Sequence, residues 1–241
     1  MEFVEGKPSW LTPFIHFKIF GIKPIYSIFI RIPFLCDKFL KVDWKVTERV
    51  VENNWLYRFL DKLPEQARIL DVGCVGSMVS FELANMGYKV TGIDLRGYPL
   101  LHPNFSFVKG DICRMPFPDG SFDFITAIST IEHVGFPFYD LPAFPEGDKK
   151  VIREIYRCLK YEGLFYMTVP FGLKENTWYQ IFDSRHLTGL LQDFNIIEEK
   201  YYRRSLGKFW LPVTAQELEK VSPYSSQGVN GVAILLCKKR S

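Results

Sequence analysis

The chain has few cysteines, and their spacing suits neither a disulfide framework nor a zinc site. The 241 residues contain five, an odd number with no C-x-x-C pair: Cys36, Cys74, Cys113, Cys158 and Cys237. This pattern excludes a disulfide-rich secreted scaffold and indicates a reducing compartment. The first residues lack a basic segment followed by an apolar core and a small-residue cleavage site, so no secretory signal is indicated. We therefore expect a cytoplasmic protein.

The chain also lacks a strong net charge and a long apolar run. A formal net charge of +3 without a long basic run does not predict a nucleic-acid partner. The most apolar run near the start, residues 25–36, is interrupted by Arg31 and Pro33 and is shorter than the roughly 20 residues of a membrane-spanning helix. An apolar fraction of 47% and a charged fraction of 24% fit one globular α/β domain with additions.

Residues 1–45 differ from the rest of the chain because aromatic and basic side chains are interleaved there. Aromatic residues such as Trp10 and Phe14 stand among lysines such as Lys18. The segment would cap the substrate pocket, pack on the following domain, or lie in a membrane interface as a peripheral contact. Packing or capping is favoured, because a membrane helix would show cleaner apolar and polar faces. We divide the chain into this segment and a domain at 46–241.

The domain is organised around a strand, a tight turn and a helix. Apolar residues from Arg68 lead to Asp71 and a glycine turn, and helical apolar spacing then continues to Met86 and ends at Gly87. The next strand ends in Asp94, 23 positions after Asp71. This is the spacing of a βαβ nucleotide-binding unit with an acid for the ribose hydroxyls.

Strands and helices alternate along the rest of the domain. Strands are predicted at 68–72, 88–94, 105–109, 122–127, 163–169, 194–202 and 229–237. Helices are predicted within 44–63, at 78–86 and 148–160, and from Ser184 and Thr214 onward. The alternation predicts an α/β fold with a Rossmann-like, mostly parallel sheet of seven strands and helices on both faces. We expect the helix within 44–63 to cover an edge of the sheet.

The glycine turn indicates which cofactor the domain binds. A dinucleotide's pyrophosphate requires G-x-G-x-x-G, whereas this turn carries only Gly73 and Gly76. Asp71 also places a negative charge where a phosphate would be repelled. S-Adenosylmethionine has an ammonium and a sulfonium group and no phosphate, so a carboxylate at the strand end suits it. The turn therefore predicts this cofactor.

Asp71-Val-Gly-Cys-Val-Gly-Ser77 resembles the D-x-G-C-G-x-G loop of class I S-adenosylmethionine-dependent methyltransferases. Gly110-Asp111-Ile112 matches the family's adenine position, and segments 122–134 and 153–163 resemble its fourth strand with an E-H turn and its helix end before strand five. The resemblance covers roughly residues 46–237. Val75 and Ser77 replace two loop glycines of the family, and Tyr161-Glu162 replaces its Pro-Gly before strand five.

The resemblance implies a last strand that runs antiparallel between the fifth and the sixth, and a cofactor site at the carboxyl ends of the strands. Asp94 would bind the ribose, Asp111 the adenine amine, and Leu95 and Ile112 the ring faces. Cys74 is expected to pack, because no His or second Cys lies near it in sequence to make it a nucleophile. The assigned cofactor-binding residues are Asp71, Gly73, Cys74, Gly76, Ser77, Asp94, Leu95, Asp111, Ile112 and Ser129.

His133 and Glu132 are the candidate catalytic residues, because they follow the fourth strand at the edge where such sheets bind ligands. Much of the acceleration of an in-line methyl transfer comes from placing the acceptor close to the activated carbon. A hydroxyl acceptor must also lose a proton, and His133 suits that task near neutral pH. The alternative is that His133 only orients its loop. No metal site is indicated.

We therefore expect an enzyme that methylates an oxygen of a small-molecule or glycan acceptor. Aromatic loops at 136–147, 171–182 and 203–212 would surround this acceptor together with the N-terminal segment, or their aromatic side chains would form a small second core. One alternative is a binding or scaffold module of the same fold whose altered turn has lost the cofactor. Another is a peripheral membrane enzyme that reaches a lipid-linked acceptor through residues 1–45.

Overall fold

The computed structural model describes residues 46–137, 142–175, 178–205, 209–225 and 228–240. The predictions for residues 1–45, including the cap, the membrane contact and the domain boundary, lie outside them. Parts of the three aromatic loops lie outside them as well.

The fold is built on one eight-stranded sheet. Its strands are β1 (Arg68–Val72), β2 (Lys89–Asp94), β3 (Phe105–Lys109), β4 (Phe122–Ile128), β5 (Leu159–Pro170), β6 (Phe194–Ser205), β7 (Phe209–Val213) and β10 (Gly231–Lys239), and a separate ribbon pairs β8 (Tyr224–Ser225) with β9 (Gly228–Val229). The order across the sheet is β3-β2-β1-β4-β5-β10-β6-β7. The order reverses between β1 and β4, and ligands of open α/β sheets bind at the carboxyl ends of the strands beside such a reversal.

The predicted fold class is confirmed, and so is the place of the last long strand. Strands β1 to β5 pair in parallel, and β10 pairs antiparallel with both β5 and β6. The sheet has one strand more than predicted, because residues expected in a loop at 203–212 form the end of β6 and most of β7. Pro212 is compatible with β7 because this strand lies at the edge, where one row of N–H groups needs no partner.

Helices cover both faces of the sheet. They are α1 (Arg49–Phe59), α2 (Val79–Asn85), α3 (Gly147–Cys158), α4 (Ser184–Leu190) and α5 (Ala215–Leu218). The expectation that the first of them covers a sheet edge is wrong: α1 lies on a face, where Leu56 packs in one core with Tyr166 of β5 and Ile234 of β10. None of the helices in the described ranges is long and apolar enough to cross a bilayer.

Alternation along the central strands fills two cores. On β5, Phe165 and Met167 belong to the core under α3 and α4, whereas Tyr166 belongs to the core under α1 and α2. On β10, Leu235 and Ile234 divide in the same way. Because successive strand residues point to opposite faces, a strand buried on both sides is apolar at every position. This explains the continuous apolar run at the end of the chain.

The position of α1 depends on a buried hydrogen bond to the sheet. The Tyr166 hydroxyl donates to the backbone oxygen of Glu52 at 2.6 Å, and both residues are fully buried. We expect Tyr166→Phe to lower the free energy of unfolding by about 1–3 kcal/mol, because the carbonyl loses its partner away from water. Urea denaturation measures this loss.

Tyr156→Phe is the matched control. The Tyr156 hydroxyl donates to the Arg240 backbone oxygen in an exposed bond of 3.2 Å, which water can replace. This change should alter stability by less than about 0.5 kcal/mol. Equal losses in the two variants would mean that the buried bond does not hold α1.

Candidate active site

A cavity of about 260 Å³ lies at the carboxyl ends of β1, β2 and β4. Most of the residues predicted for cofactor binding line it, together with the candidate base: Gly73, Gly76, Ser77, Asp94, Leu95, Asp111, Ile112, Ser129 and His133. Asp71, Cys74 and Glu132 are not among its lining residues. The topology therefore brings the turn after β1, the end of β2 and the segments after β3 and β4 to one site.

Asp71 is buried beneath the cavity. Its carboxylate accepts hydrogen bonds from Ser80 Oγ at 2.5 Å and Thr126 Oγ1 at 2.8 Å, and so connects β1 with α2 and β4. Burial raises the pKa of this carboxyl, while the bonds from Ser80 and Thr126 oppose the shift. The observed contacts are structural, and binding of the cofactor by Asp71 stays a prediction.

Cys74 packs as expected. Its side chain is buried, and its Sγ packs against Gly92 of β2. A Cβ on Gly92 would lie only 2.6 Å from this sulfur. Burial is the main cause that raises the pKa of the thiol. A protonated thiol packed against a strand is not a nucleophile. Its membership of the cofactor-binding set stays a prediction.

The turn after β1 needs glycine at only two positions. Gly73 and Gly76 have φ values of 75° and 93°, in the region that side chains rarely adopt. A Cβ on Gly73 would also overlap the Thr130 side chain, so this glycine allows the turn to approach the segment after β4. Val75 and Ser77 are not in the positive-φ region. Their replacement of the family's glycines is therefore compatible with the turn.

Asp94 connects the turn with the end of β2. Its Oδ2 accepts from Val75 N at 3.0 Å, and its Oδ1 accepts from Arg96 N at 2.9 Å. The Arg96 guanidinium adds one bond to each oxygen at 3.1 Å and donates to the Val75 oxygen at 2.5 Å. Four bonds occupy both oxygens of the carboxylate. Ribose hydroxyls at this position would take the places of the two guanidinium bonds.

Asp111 and its neighbours form the wall of the cavity after β3. Asp111 Oδ1 accepts from Cys113 N at 2.8 Å, which holds the carboxylate at the start of a turn. Ile112 is buried, and Leu95 is 38% exposed on the cavity side of β2. This wall therefore combines two apolar side chains with one carboxylate.

His133 and Glu132 are adjacent but have different surroundings. His133 lines the cavity and its ring stacks on Trp178 with 5.2 Å between centroids. Burial, with the positive charges of Arg49 and Arg96, lowers the pKa of His133 to about 4. Glu132 is 2% exposed, and its Oε1 lies 3.8 Å from His133 Nε2. Burial raises the pKa of Glu132 to about 8, so both residues are neutral at pH 7.

Sequence reasoning missed the contribution of α1. Glu52 is fully buried, and its Oε1 accepts from Ser129 Oγ at 2.8 Å and Thr168 Oγ1 at 2.6 Å. Its Oε2 accepts from Nη1 of Arg49, which lines the cavity, at 2.9 Å. The signal was present, because Glu52 precedes the buried Leu56 by four positions and so places a carboxylate on the apolar face of a helix.

The three aromatic loops contribute unequally. Phe136 and Phe144 of the first loop line the cavity, and Trp178 of the second stacks on His133. The third segment contributes none of the lining residues in the described ranges, since it forms β7. Trp210 there lies under Arg204, whose guanidinium carbon is 5.0 Å from the ring centroid. The prediction that 203–212 surrounds the acceptor as a loop is therefore wrong.

The raised pKa of Glu132 predicts how stability depends on pH. The folded state keeps this proton to about pH 8, whereas the carboxyl of the unfolded chain has a pKa of 4.5. The contribution of this carboxyl to the free energy of unfolding is fully present below pH 4.5. It falls by about 1.4 kcal/mol per pH unit between the pKa of the unfolded chain and that of the folded protein. Glu132→Gln has no such proton. We expect its free energy of unfolding, from urea titrations at several pH values, to rise relative to wild type from pH 5 to 8.

Glu65→Gln is the control, because Glu65 is exposed on the loop before β1 and is not among the residues that line the cavity. If the curves of Glu132→Gln and wild type run parallel, the Glu132 carboxyl is ionised in the folded protein.

Comparisons with known proteins agree with this geometry. Residues 70–167 match a family model described as a methyltransferase domain. The chain is 36% identical over 110 residues to a sterol 24-C-methyltransferase of Gibberella zeae, covering 41% of this chain and 26% of that protein. It is 41% identical over 80 residues to a ubiquinone biosynthesis O-methyltransferase of Nitrosococcus oceani, covering 29% and 34%. The chain thus spans about a quarter to a third of these relatives.

A solved structure of similar fold extends over most of the chain. It is the 1,6-didemethyltoxoflavin-N1-methyltransferase of Burkholderia thailandensis, with 1,6-didemethyltoxoflavin and S-adenosylhomocysteine bound. The TM-score is 0.55 at 16% identity, and the match covers 90% of this chain and 89% of that one. At this identity the likeness concerns the fold alone.

Proposed function

We propose that the chain carries a class I S-adenosylmethionine-dependent methyltransferase domain and that it methylates an oxygen of a small-molecule acceptor. The observation that carries this proposal is one cavity that collects the glycine turn, Asp94, Asp111 and His133 at the carboxyl edge of the sheet. These residues lie on four separate segments of the sequence. Their convergence on one cavity is expected of a binding site.

The residues present fit the cofactor. Gly73 and Gly76 keep the backbone bare beside the cavity, Asp94 offers carboxylate oxygens for ribose hydroxyls, and Asp111 with Ile112 offers a polar and an apolar wall for adenine. Bound there, S-adenosylmethionine supplies an electrophilic methyl group on a sulfonium. The work left to the chain is to place an acceptor oxygen in line and to accept its proton.

His133 is proposed to accept that proton. Its lowered pKa of about 4 keeps it neutral, and hence able to accept a proton, throughout the physiological range. The same shift makes it a weak base, so it suits an acidic hydroxyl such as a phenol better than an aliphatic alcohol. Glu132, protonated beside it, is proposed to hold the ring in place.

The aromatic walls support the same choice of acceptor. Phe136 and Phe144 line the cavity near His133, and Trp178, 51% exposed, stacks on the histidine ring. Such surfaces favour a flat, apolar acceptor. One relative is named for O-methylation and another for C-methylation, and the proton-accepting His133 favours oxygen here. A glycan is the second choice, because a sugar ring also packs on indole but has less acidic hydroxyls.

A binding or scaffold module without methyl transfer is the alternative function. The features that favour it are Val75 and Ser77 in the turn, and the guanidinium of Arg96 on Asp94. Against it, the two left-handed positions of the turn are both glycines. Cofactor affinity separates the two functions before any acceptor is known.

We expect calorimetric titration to give micromolar binding of S-adenosylmethionine and S-adenosylhomocysteine. Asp94→Asn should weaken both by about ten-fold or more, because charged acceptors for the ribose hydroxyls are lost. Asp123→Asn is the matched control. Asp123 lies at the amino-terminal end of β4, away from the carboxyl ends of the strands, and accepts hydrogen bonds from Arg68 N and Lys160 Nζ. A folded wild type that binds neither compound would favour the scaffold function.

Turnover should depend on His133. With an acceptor found by screening phenols, alcohols and sugars for S-adenosylhomocysteine release, we expect His133→Asn to lower kcat about 100-fold. The S-adenosylhomocysteine affinity should stay within about two-fold. His102, which lies before β3 and is not among the residues that line the cavity, is the control, and His102→Asn should leave both quantities unchanged. The kcat/KM of wild type should show no titration near pH 6.5, since the pKa of His133 is about 4. Unchanged turnover would leave His133 a loop-orienting residue.

A further inference from the structure

His186 links the first turns of two helices, and the segments before these helices flank His133. It lies at the start of α4, and its Nε2 is 2.7 Å from Oδ2 of Asp148 at the start of α3. Both side chains are mostly buried, with 23% of the histidine and 14% of the aspartate exposed. Neither residue lines the cavity, so any effect of the pair on the site must pass through its neighbours.

The hydrogen bond runs from the imidazole to the carboxylate. Burial raises the pKa of Asp148, but the bonds from His186 and from the Lys149 backbone outweigh burial, and the pKa is lowered. An ionised carboxylate only accepts hydrogen bonds, so Nε2 of His186 carries the hydrogen and donates it. The second carboxylate oxygen accepts from Lys149 N at 2.8 Å. Both oxygens of Asp148 are therefore held.

Asp148 extends the connection to the cavity wall after β4. It follows Gly147, and a Cβ on Gly147 would lie 2.5 Å from the backbone carbonyl of Val134, so α3 begins in direct contact with this segment. Close by, Phe144 N donates to the Gly135 backbone oxygen at 2.9 Å. The start of α3 and the lining residues on both sides of this contact are thus one packed unit.

The ring of His186 extends the connection to the other side of the same segment. It stacks on Phe182, with 4.8 Å between centroids and 24° between planes. Two residues earlier, Gln180 N donates to the Glu132 backbone oxygen at 2.7 Å. Trp178, which stacks on the candidate base, belongs to the same stretch of chain before α4. The residues before α4 therefore hold both the backbone and the ring of the candidate base.

We propose that His186 is a positioning residue, which through Asp148 and Phe182 fixes the segment 132–135 and with it the ring of His133. This inference rests on the proposed function, in which that ring accepts the proton of the acceptor. Methyl transfer requires the acceptor and its base in a narrow range of positions, so a small displacement of this segment slows the reaction. The residues proposed for ribose and adenine follow β2 and β3 and belong to other segments.

The ring of His133 reports its own position without any acceptor. The chain has four histidines, so their ring signals can be assigned in proton–carbon correlation spectra by substitution. In wild type, burial with the charges of Arg49 and Arg96 lowers the pKa of His133 to about 4. In His186→Ala we expect its signal to move and its titration midpoint to rise by about one pH unit, because looser packing admits water. The charges of Arg49, Arg96 and Glu132 are the same in both proteins.

Turnover gives a second readout once an acceptor is known. His186→Ala should lower kcat/KM for the acceptor about ten-fold or more, while the S-adenosylhomocysteine affinity stays within about two-fold. His186→Gln should recover part of the loss, because its amide nitrogen still donates to Asp148 although it lacks the ring that stacks on Phe182. Asp148→Ala should lose less than His186→Ala, and the double variant no more than His186→Ala, because both changes remove the same bond.

Arg185→Gln is the matched control on α4. Arg185 precedes His186, is exposed and is not a lining residue, so this change should leave the His133 signal, the turnover and the affinity as in wild type. Circular dichroism checks that each variant is folded. If His186→Ala is not, His186→Gln takes its place with the same direction of change.

The outcomes separate the positioning role from the proposed function. An unchanged His133 signal and midpoint in the His186 variants overturn the positioning role, and so does an equal loss of turnover and S-adenosylhomocysteine affinity, which marks a general structural effect. A wild type that binds no cofactor overturns the proposed function, and the His133 spectra then still decide whether His186 holds the ring. A shifted His133 titration with a selective loss of turnover supports both.

Discussion

The structure of the site depends on a carboxylate buried where a helix meets two strand ends. Glu52 of α1 accepts hydrogen bonds from Ser129, directly after β4, and from Thr168, near the end of β5. It also accepts one from Arg49 on its own helix. A buried carboxylate without partners is costly, so each donor is held in place as firmly as Glu52 itself. Ser129 adopts a φ of 45° within this arrangement. The helix, the turn after β4 and the cavity wall are thus positioned together.

A second buried carboxylate lies at the end of β1, just before the glycine turn. Asp71 joins α2 and β4 through Ser80 and Thr126, and the glycine turn above it is left to backbone geometry. Only the positions with positive φ need glycine there, which is why the chain departs from the family pattern at Val75 without losing the turn. Another family glycine is replaced at a position where φ is positive. Glu162 stands where the family has a glycine before strand five. Its backbone has a φ of 61°, which is unfavourable for a non-glycine residue.

Much of the fold was predictable from the sequence because its signals are local. Period-two and helical spacing placed most strands and helices to within a few residues. The glycine turn, Asp94 and Asp111 were placed at one edge by the rule that parallel strands present the same ends there. The strand at 209–213 was missed because Pro212 and its short length are typical of a loop, and only pairing with β6 makes it an edge strand.

The sequence by itself determined the fold class, the glycine turn after β1 and its place at the carboxyl ends of the strands, since each depends on spacing along the chain. The tertiary structure decided what burial and long-range contact control. Asp71 became a structural acceptor and not a lining residue, and Glu132 and His133 acquired opposite pKa shifts that leave both neutral. Arg49 lines the cavity, although it lies on a helix that carries no sequence motif. Desolvation and the nearness of charges depend on distances through space, which residue order does not contain.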